Sequence, residues 1–193
     1  MDAPLKQGGN GMPNYTRARI PGGTYFFTVI TLERRPLLTR HITRHALRHA
    51  IEKTRLTHPF RINAWVLLPD HLHCLWTLPD GDEEFSMRWS MIKRFTTQHL
   101  SIYHGIALQP NHSRTIRRES AFWQRRFWEH LVYDDDDFRR HLDYIHWNPV
   151  KHGYVEYVSD WPYSTFHQWM ARGIYPKDWG NSYKAPGEFD FGE

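Results

Sequence analysis

Two histidines one residue apart, His71 and His73, are the residues in this sequence best suited to binding a metal ion. They lie in a predicted strand, where alternate side chains point to the same face of a sheet. Two imidazoles side by side on one face can hold one metal ion. Because the chain has 14 histidines, such a pair is also expected by chance, so a purely structural pair is the competing interpretation.

A tyrosine and an asparagine form a second candidate group, on a helix predicted over residues 134–148. Tyr144 and Asn148 are four residues apart and therefore project from one face of that helix. Pro149 disfavours helical geometry at the residue before it, so we expect the helix to end at Asn148, where the side chain can turn to a ligand. The alternative is that Tyr144 is a rim residue of a packed helix and Asn148 a C-terminal cap.

Four consecutive aspartates begin the same helix, at residues 134–137. They lack the spaced oxygen ligands and the glycine of a calcium-binding loop. Acidic side chains at the start of a helix instead satisfy its free N–H groups and its dipole. The run therefore indicates a capped helix start rather than a metal site.

Together, the two candidate groups suggest one reaction. A metal ion held by His71 and His73, with the Asn148 side-chain oxygen as a third candidate ligand, would polarise a scissile phosphate. The Tyr144 hydroxyl would attack that phosphate in line and form a phosphotyrosine ester. The ester keeps the energy of the broken bond, so the strand can be rejoined. A mixed nitrogen and oxygen ligand set with open positions favours Mg²⁺ or Mn²⁺ over structural zinc.

The elements that must position these groups follow from the pattern of apolar residues. β-Branched and aromatic runs predict strands at residues 24–32, 61–68, 71–78 and 122–132. Helical spacing of apolar residues predicts helices at residues 42–55, 85–101, 134–148 and 163–170. This order predicts an α+β fold, a ferredoxin-like sandwich whose central antiparallel sheet has its helices packed on one face. The apolar side of the histidine strand, with Leu72, Cys74 and Trp76, is expected to lie beneath those helices.

Length and composition limit the class of protein. A chain of 193 residues, 40% hydrophobic and 24% charged, suits one globular domain. We place this domain at residues 15–172, between a flexible leader at 1–14 and a loosely held tail at 173–193. The single cysteine excludes an internal disulfide, and no stretch is long and apolar enough to span a membrane. We therefore expect a cytoplasmic protein.

The charged and aromatic residues favour a nucleic-acid partner. The chain has 25 Lys and Arg against 21 Asp and Glu, and arginine outnumbers lysine by 19 to 6. A guanidinium binds phosphate through two parallel hydrogen bonds and also stacks on bases. The nine Trp, ten Tyr and eleven Phe exceed what a core of this size requires, and such rings can stack on unpaired bases.

Three motifs follow one another along the chain. The first is WVLLPDHLH at residues 65–73, the second FWQRRFWEH at 122–130, and the third DYIHWNPVKHG at 143–153. In this order they resemble the successive signatures of the REP-associated tyrosine transposases, where REP stands for repetitive extragenic palindrome. These proteins are single-tyrosine HUH transposases, and the resemblance extends over about residues 14–170.

The resemblance implies a bacterial enzyme with the HUH endonuclease fold that acts on single-stranded DNA at palindromic hairpins. Monomer and homodimer both stay open from the sequence. It implies that His71 and His73 hold the metal ion and that Tyr144 is the nucleophile. Asn148 stands where related insertion-sequence enzymes usually carry a glutamine as the third ligand. His152 and His146 are the alternatives to it.

The resemblance also implies contacts with DNA. Arg17 and Arg19 precede the first strand, in a segment that helps to read the short sequence at the foot of the hairpin in similar proteins. Lys151 lies within the third motif and is a further candidate DNA contact. Arg125 and Arg126 lie within the Trp-rich second motif, but neighbouring residues on a strand face opposite ways, so at most one is expected to point at the site.

Other interpretations stay open from the sequence. The chain could be a catalytically silent protein that binds hairpin DNA or RNA, or a metal hydrolase that uses the histidine pair without Tyr144. A predicted loop at residues 103–120 carries Arg114, Arg117 and Arg118. This loop is either a basic contact to phosphates or a solvated turn.

Overall fold

The computed structural model describes residues 19–104 and 121–180. The described residues form four strands: β1 (Thr24–Ile30), β2 (Arg61–Leu67), β3 (His71–Thr77) and β4 (Trp128–Leu131). They also form four α-helices: α1 (His41–Thr57), α2 (Phe85–His104), α3 (Asp135–Lys151) and α4 (Phe166–Ala171). Two short 3₁₀ turns cover Leu32–Arg34 and Val158–Asp160. None of the described helices is long and apolar enough to cross a membrane.

The four strands form one sheet in the order β2-β3-β1-β4, in which every neighbouring pair is antiparallel. The two central strands, β1 and β3, are therefore not neighbours along the chain, because α1 and β2 come between them. This chain order and strand order are those of a ferredoxin-like sandwich. The predicted α+β fold class is confirmed.

Helices cover both faces of the sheet, which corrects the prediction that they pack on one face. On one side α1 and α2 bury the side chains of Phe27, Cys74 and Trp76. On the other side α3 buries Phe26 and Leu75. Because both faces carry large apolar side chains, each needs its own covering layer of helix. The histidine strand therefore lies between two cores.

The C-terminal end of α3 differs from the prediction. The helix does not end at Asn148 but continues through Pro149 to Lys151. The chain turns away after the helix at Gly153, whose φ of +69° is in the left-handed region that favours glycine. The amide of Gly153 then donates to the carbonyl of Val150. A proline one turn from a helix end removes a single hydrogen bond, and the turn that follows satisfies the remaining carbonyls.

The last described segment covers the outer edge of the sheet and part of the second core. Thr165 donates its amide to the carbonyl of Trp65, and Leu67 donates to Tyr163, so residues 163–165 line the edge of β2. An edge strand covered in this way does not offer free backbone groups to another chain. Tyr175, within the predicted tail, is buried beside α3. Residues 1–18 and 181–193, with the rest of the predicted leader and tail, lie outside the described residues.

Candidate functional site

The histidine pair is buried on the face of β3 that α3 covers, and other side chains hold both rings. His71 places Nδ1 2.7 Å from the Asp70 carboxylate, and His73 places Nδ1 2.9 Å from the Thr28 hydroxyl. The ring centroids of the two histidines are 4.9 Å apart. The two imidazoles are therefore held side by side, as the two-residue spacing on a strand predicts, and each is anchored through its Nδ1 atom.

The second ring nitrogen of His71, Nε2, is buried and makes no hydrogen bond within the described part of the chain. A buried polar atom left without a partner is unfavourable by about 1–3 kcal/mol. A metal ion would satisfy it, and a carboxylate on the opposite nitrogen is the usual support of a metal-binding histidine. The donor set around the pair therefore fits a bound divalent cation.

Asp70 supports His71 and is itself held by an arginine. Arg34 donates to the second Asp70 oxygen at 3.1 Å. Glu33 and Arg34 both have positive φ, 57° and 50°, a conformation that non-glycine residues rarely adopt. Burial opposes ionisation of the Asp70 carboxyl, but the hydrogen bond and charge of His71 and those of Arg34 outweigh it and lower its pKa. The strained turn thus keeps a carboxylate behind His71.

Tyr144, on α3, lies against the same pair. Its ring contacts the ring of His73 with centroids 5.2 Å apart, and the side chain is only 1% exposed. The ammonium of Lys151, two turns later on the helix, lies 3.4 Å from the Tyr144 hydroxyl and 4.9 Å from its ring centroid. Lys151, predicted as a DNA contact, is therefore placed beside the predicted nucleophile.

The three candidates for a third metal ligand are placed differently. Asn148 is buried within α3, one turn after Tyr144, rather than at a helix end where its side chain can turn outward. His152 lies with its ring centroid 5.3 Å from that of His71. His146 instead places Nε2 3.1 Å from the Thr165 hydroxyl, and burial lowers its pKa to about 3. The structure thus brings His152, and not His146, to the pair.

The predicted arginine contacts lie at two ends of the sheet. Arg19 donates to Glu84 at 2.8 Å near the first residue of β1, which pairs with Thr77 and so lies at the opposite end of β3 from His71. Arg17, Arg114, Arg117 and Arg118 lie outside the described residues. The structure therefore does not bring Arg19 to the histidine pair.

Arg125 and Arg126 lie in an exposed loop before β4, not on a strand as predicted. The expectation that their side chains point to opposite faces therefore does not apply. The preceding residue, Gln124, donates its amide to the carbonyl of Ile30, and Ile30 pairs with His71. The loop thus lies at the same end of the sheet as the histidine pair.

A second polar cluster lies beside the site, and sequence reasoning did not assemble it. His130, Asp137 and His141 each offer one possible metal-ligand atom, and these three atoms lie within 4.8 Å of one another. Asp137 Oδ2 is 2.8 Å from His130 Nε2 and also accepts from the amide of Tyr133. The two histidine rings stack with centroids 4.6 Å apart. The cluster ties the start of α3 to β4, and Asp137 and His141, four apart on one helix face, were the part of it visible in the sequence.

The surroundings favour the charged form of Asp137 and the neutral form of His141. Burial opposes ionisation of Asp137, but its hydrogen bonds to His130 and Tyr133 outweigh it and lower the pKa. Burial lowers the pKa of His141 and favours its neutral form. At the helix start itself, the Asp134 side chain accepts from the amide of Asp137 at 2.7 Å, so the aspartate run caps the helix as predicted.

Known proteins resemble the chain over most of its length. A protein of Escherichia coli (strain K12) named REP-associated tyrosine transposase is 48% identical over 169 residues, which cover 87% of this chain and 91% of the relative. A protein of Haemophilus influenzae named for the same group is 46% identical over 172 residues, covering 89% and 95%. No family model matches the chain.

The solved structures include a close match. A REP-associated tyrosine transposase, solved bound to a REP hairpin, is 46% identical and superposes with a TM-score of 0.73. The match covers 94% of this chain and all of that one. The family that the three sequence motifs predicted is the family of these relatives, so that prediction is confirmed.

Proposed function

Because the chain belongs to the family of REP-associated tyrosine transposases, we propose that it cuts and rejoins single-stranded DNA at palindromic hairpins through a covalent 5′-phosphotyrosine intermediate. The observation that carries the proposal is the contact of Tyr144 with His73, at a ring-centroid distance of 5.2 Å. A hydroxyl nucleophile next to two side chains that can hold a metal ion is an arrangement suited to phosphoryl transfer. The proposed partner, hairpin DNA, follows from the ligand named for the solved relative.

The Tyr144 hydroxyl is the attacking group in this proposal. Its oxygen forms a bond to the scissile phosphorus, its proton leaves to water, and the bond from phosphorus to the 3′-oxygen of the preceding nucleotide breaks. That 3′-oxygen takes up a proton, so the products are a 5′-phosphotyrosine and a 3′-hydroxyl. Attack of a 3′-hydroxyl on the phosphotyrosine reverses every step, which rejoins a strand without an external energy source.

Lys151 lies beside the Tyr144 hydroxyl and supports the attack in this proposal. Its ammonium lies 3.4 Å from the Tyr144 oxygen, close enough to stabilise the negative charge that develops there as the proton leaves. The same ammonium lies over the ring at 4.9 Å, which holds the ring in place. Lys151 is therefore a positioning group for the nucleophile in addition to its predicted contact with DNA.

The histidine pair holds the metal ion in this proposal. His71 and His73 supply two nitrogen ligands, and Asn148 and His152 are the candidates for a third. When bound, Mg²⁺ or Mn²⁺ neutralises charge on the scissile phosphate. Asp70 and Thr28 keep the two rings in the required orientation through their contacts with the Nδ1 atoms.

A denaturing gel tests the proposal. Wild-type protein, Tyr144→Phe and the control Tyr157→Phe are each incubated with single-stranded hairpin DNA and Mg²⁺ or Mn²⁺. We expect a covalent protein–DNA adduct with wild type and with Tyr157→Phe, and none with Tyr144→Phe, because phenylalanine lacks the attacking oxygen. An adduct that persists in Tyr144→Phe would remove Tyr144 as the nucleophile. Binding without any adduct in wild type would favour a silent hairpin-binding protein, and cleavage without an adduct a metal hydrolase.

A further inference from the structure

A line of side-chain rings leads away from the histidine pair across the surface. The ring centroid of His152 lies 5.3 Å from that of His71. The ring centroid of Tyr154 lies 5.9 Å from that of His152. Trp161 stacks on Tyr154 at 5.5 Å with an interplanar angle of 26°, and Tyr163 follows at 5.5 Å. We name the four rings His152, Tyr154, Trp161 and Tyr163 the aromatic track.

The track ends in a positively charged groove between α1 and the outer edge of the sheet. The guanidinium of Arg44 lies 4.4 Å above the ring of Tyr163. The groove has a volume of about 590 Å³, and its charged lining residues are Arg44, Arg48, Arg55 and Glu52. Three arginines against one glutamate leave the groove with a net positive charge, which suits a phosphate-bearing ligand.

Two features distinguish the track from ordinary core packing. Tyr154 is 43% exposed as a residue, so part of it meets solvent. Arg44 Nε, at the far end, is buried and finds no hydrogen-bond partner among residues 19–104 and 121–180. A guanidinium nitrogen in that state suits an acceptor from a bound molecule. Trp161 is fixed in place, since its indole N–H donates to the Leu67 carbonyl at 3.1 Å.

Proteins that bind single-stranded nucleic acid often combine a basic groove for the phosphates with a series of aromatic rings on which the bases stack. The bases of a paired stem are stacked on each other and cannot lie flat on these rings, whereas unpaired bases can. We propose that the aromatic track binds the unpaired strand that adjoins the hairpin, with bases on Tyr154 and Trp161 and phosphates at the Arg44 groove. This inference rests on the proposed function, because it takes the scissile phosphate to lie at the His71 end of the track.

The test compares tailed with blunt DNA. Two hairpins share one stem, and one of them carries unpaired nucleotides on both sides. Binding is measured by fluorescence anisotropy without metal, in the Tyr144→Phe background so that no cleavage occurs. Tyr154→Leu is compared with Tyr157→Leu, a tyrosine of the same loop that is also 43% exposed and lies outside the track.

We expect Tyr154→Leu to bind the tailed hairpin about tenfold more weakly than its parent, because one base loses its stacking partner. Its binding of the blunt hairpin and both affinities of Tyr157→Leu should stay unchanged. On the charge side, Arg44→Gln should weaken binding of the tailed hairpin and reduce its dependence on salt. Lys53→Gln is the matched control, since Lys53 is on the same helix but lies over Phe95, away from the groove.

Equal losses for the two tyrosine variants, or equal losses on tailed and blunt DNA, would overturn the track. If the groove serves another ligand, such as an acidic peptide, neither variant would change the binding of either DNA, and that result would also contradict the proposal. The outcome is separable from that of the proposed function. If wild type forms no adduct but Tyr154→Leu still weakens only the binding of tailed DNA, the proposed chemistry is wrong and the track is supported. If wild type forms an adduct but Tyr154→Leu binds tailed DNA normally, only the proposal of the track is wrong.

Discussion

The two faces of the sheet at β3 bury different chemistry. The side chains of Leu72, Cys74 and Trp76 point toward α1 and α2 and contact apolar groups. Those of His71 and His73 point toward α3 and contact polar groups as well as rings. Both faces are covered by helices, yet at β3 one buries only apolar side chains and the other adds two hydrogen-bonded histidines to its apolar core. Burial at one strand therefore serves stability on one side and, by our proposal, reactivity on the other.

The comparison predicts that substitutions on the two faces have separable effects. A change on the α1 and α2 face should lower the free energy of unfolding and leave the adduct yield per folded molecule unchanged. A change on the α3 face should alter metal binding, adduct formation or the pH dependence of stability. It should lower the free energy of unfolding less than a change on the α1 and α2 face does. The following three predictions test this separation.

The largest effect is expected for Trp76→Ala. Trp76 is fully buried and stacks on Trp89 with centroids 4.3 Å apart. Loss of that side chain should reduce the free energy of unfolding by about 4 kcal/mol, measured by urea denaturation. Leu72→Ala, with a loss of about 3 kcal/mol, is the substitute if Trp76→Ala does not fold. Leu56→Ala, at a position 85% exposed, is the control and should change little. A folded Trp76→Ala protein without adduct formation would contradict the separation.

A smaller effect is expected from acidification, through His146 on α3. Burial lowers the pKa of His146 to about 3 in the folded protein, against about 6.5 in the unfolded chain. The unfolded state therefore binds the proton first as pH falls below 6.5, and stability declines from there down to the folded pKa. Between pH 7 and pH 5 we expect a loss of roughly 2 kcal/mol from this residue.

Urea denaturation at both pH values, with His146→Gln as the comparison, isolates this contribution. Glutamine can keep a hydrogen bond to Thr165 but does not titrate, so its protein should lose less stability on acidification. Equal losses in wild type and His146→Gln would show that the His146 side chain takes up its proton as readily when folded as when unfolded.

The smallest effect is expected for Asp70→Asn. Asparagine keeps an oxygen that accepts from His71 Nδ1 but removes the negative charge behind the ring. We expect about tenfold weaker binding of Mn²⁺, measured by electron paramagnetic resonance, with little loss of stability. Asp80→Asn makes the same change of charge at the exposed opposite end of β3 and should bind Mn²⁺ as wild type does. Unchanged Mn²⁺ affinity in Asp70→Asn would show that the carboxylate does not support a metal ligand.

Much of the fold was visible in short-range patterns. The period of two in residues 71–78 placed His71 and His73 on one face, and the spacing of four placed Tyr144 and Asn148 on one side of a helix. The fold class followed from the order of these elements. The end of α3 was predicted wrongly, because the effect of Pro149 on the residue before it is a tendency that the later turn at Gly153 overrides.

The site itself was predictable only in part. Lys151 beside Tyr144 is a helix neighbour two turns away, a spacing that the sequence contains but does not single out. His130 joins Asp137 and His141 only because β4 pairs with β1, which no local pattern specifies. The aromatic track lies in the segment after α3, and only the docking of that segment on the edge of β2 places its rings beside Arg44.

The sequence by itself determined which residues share a face, because periods of 2 and 3.6 are properties of a strand and a helix taken alone. It also determined the family, through three motifs in order. Only the tertiary structure decided which faces meet: that α3 covers the histidine pair, that Arg34 reaches Asp70, and that four rings line up toward Arg44. The physical reason is that contacts between elements depend on how both apolar faces of the sheet are covered, and that is settled by the whole chain at once.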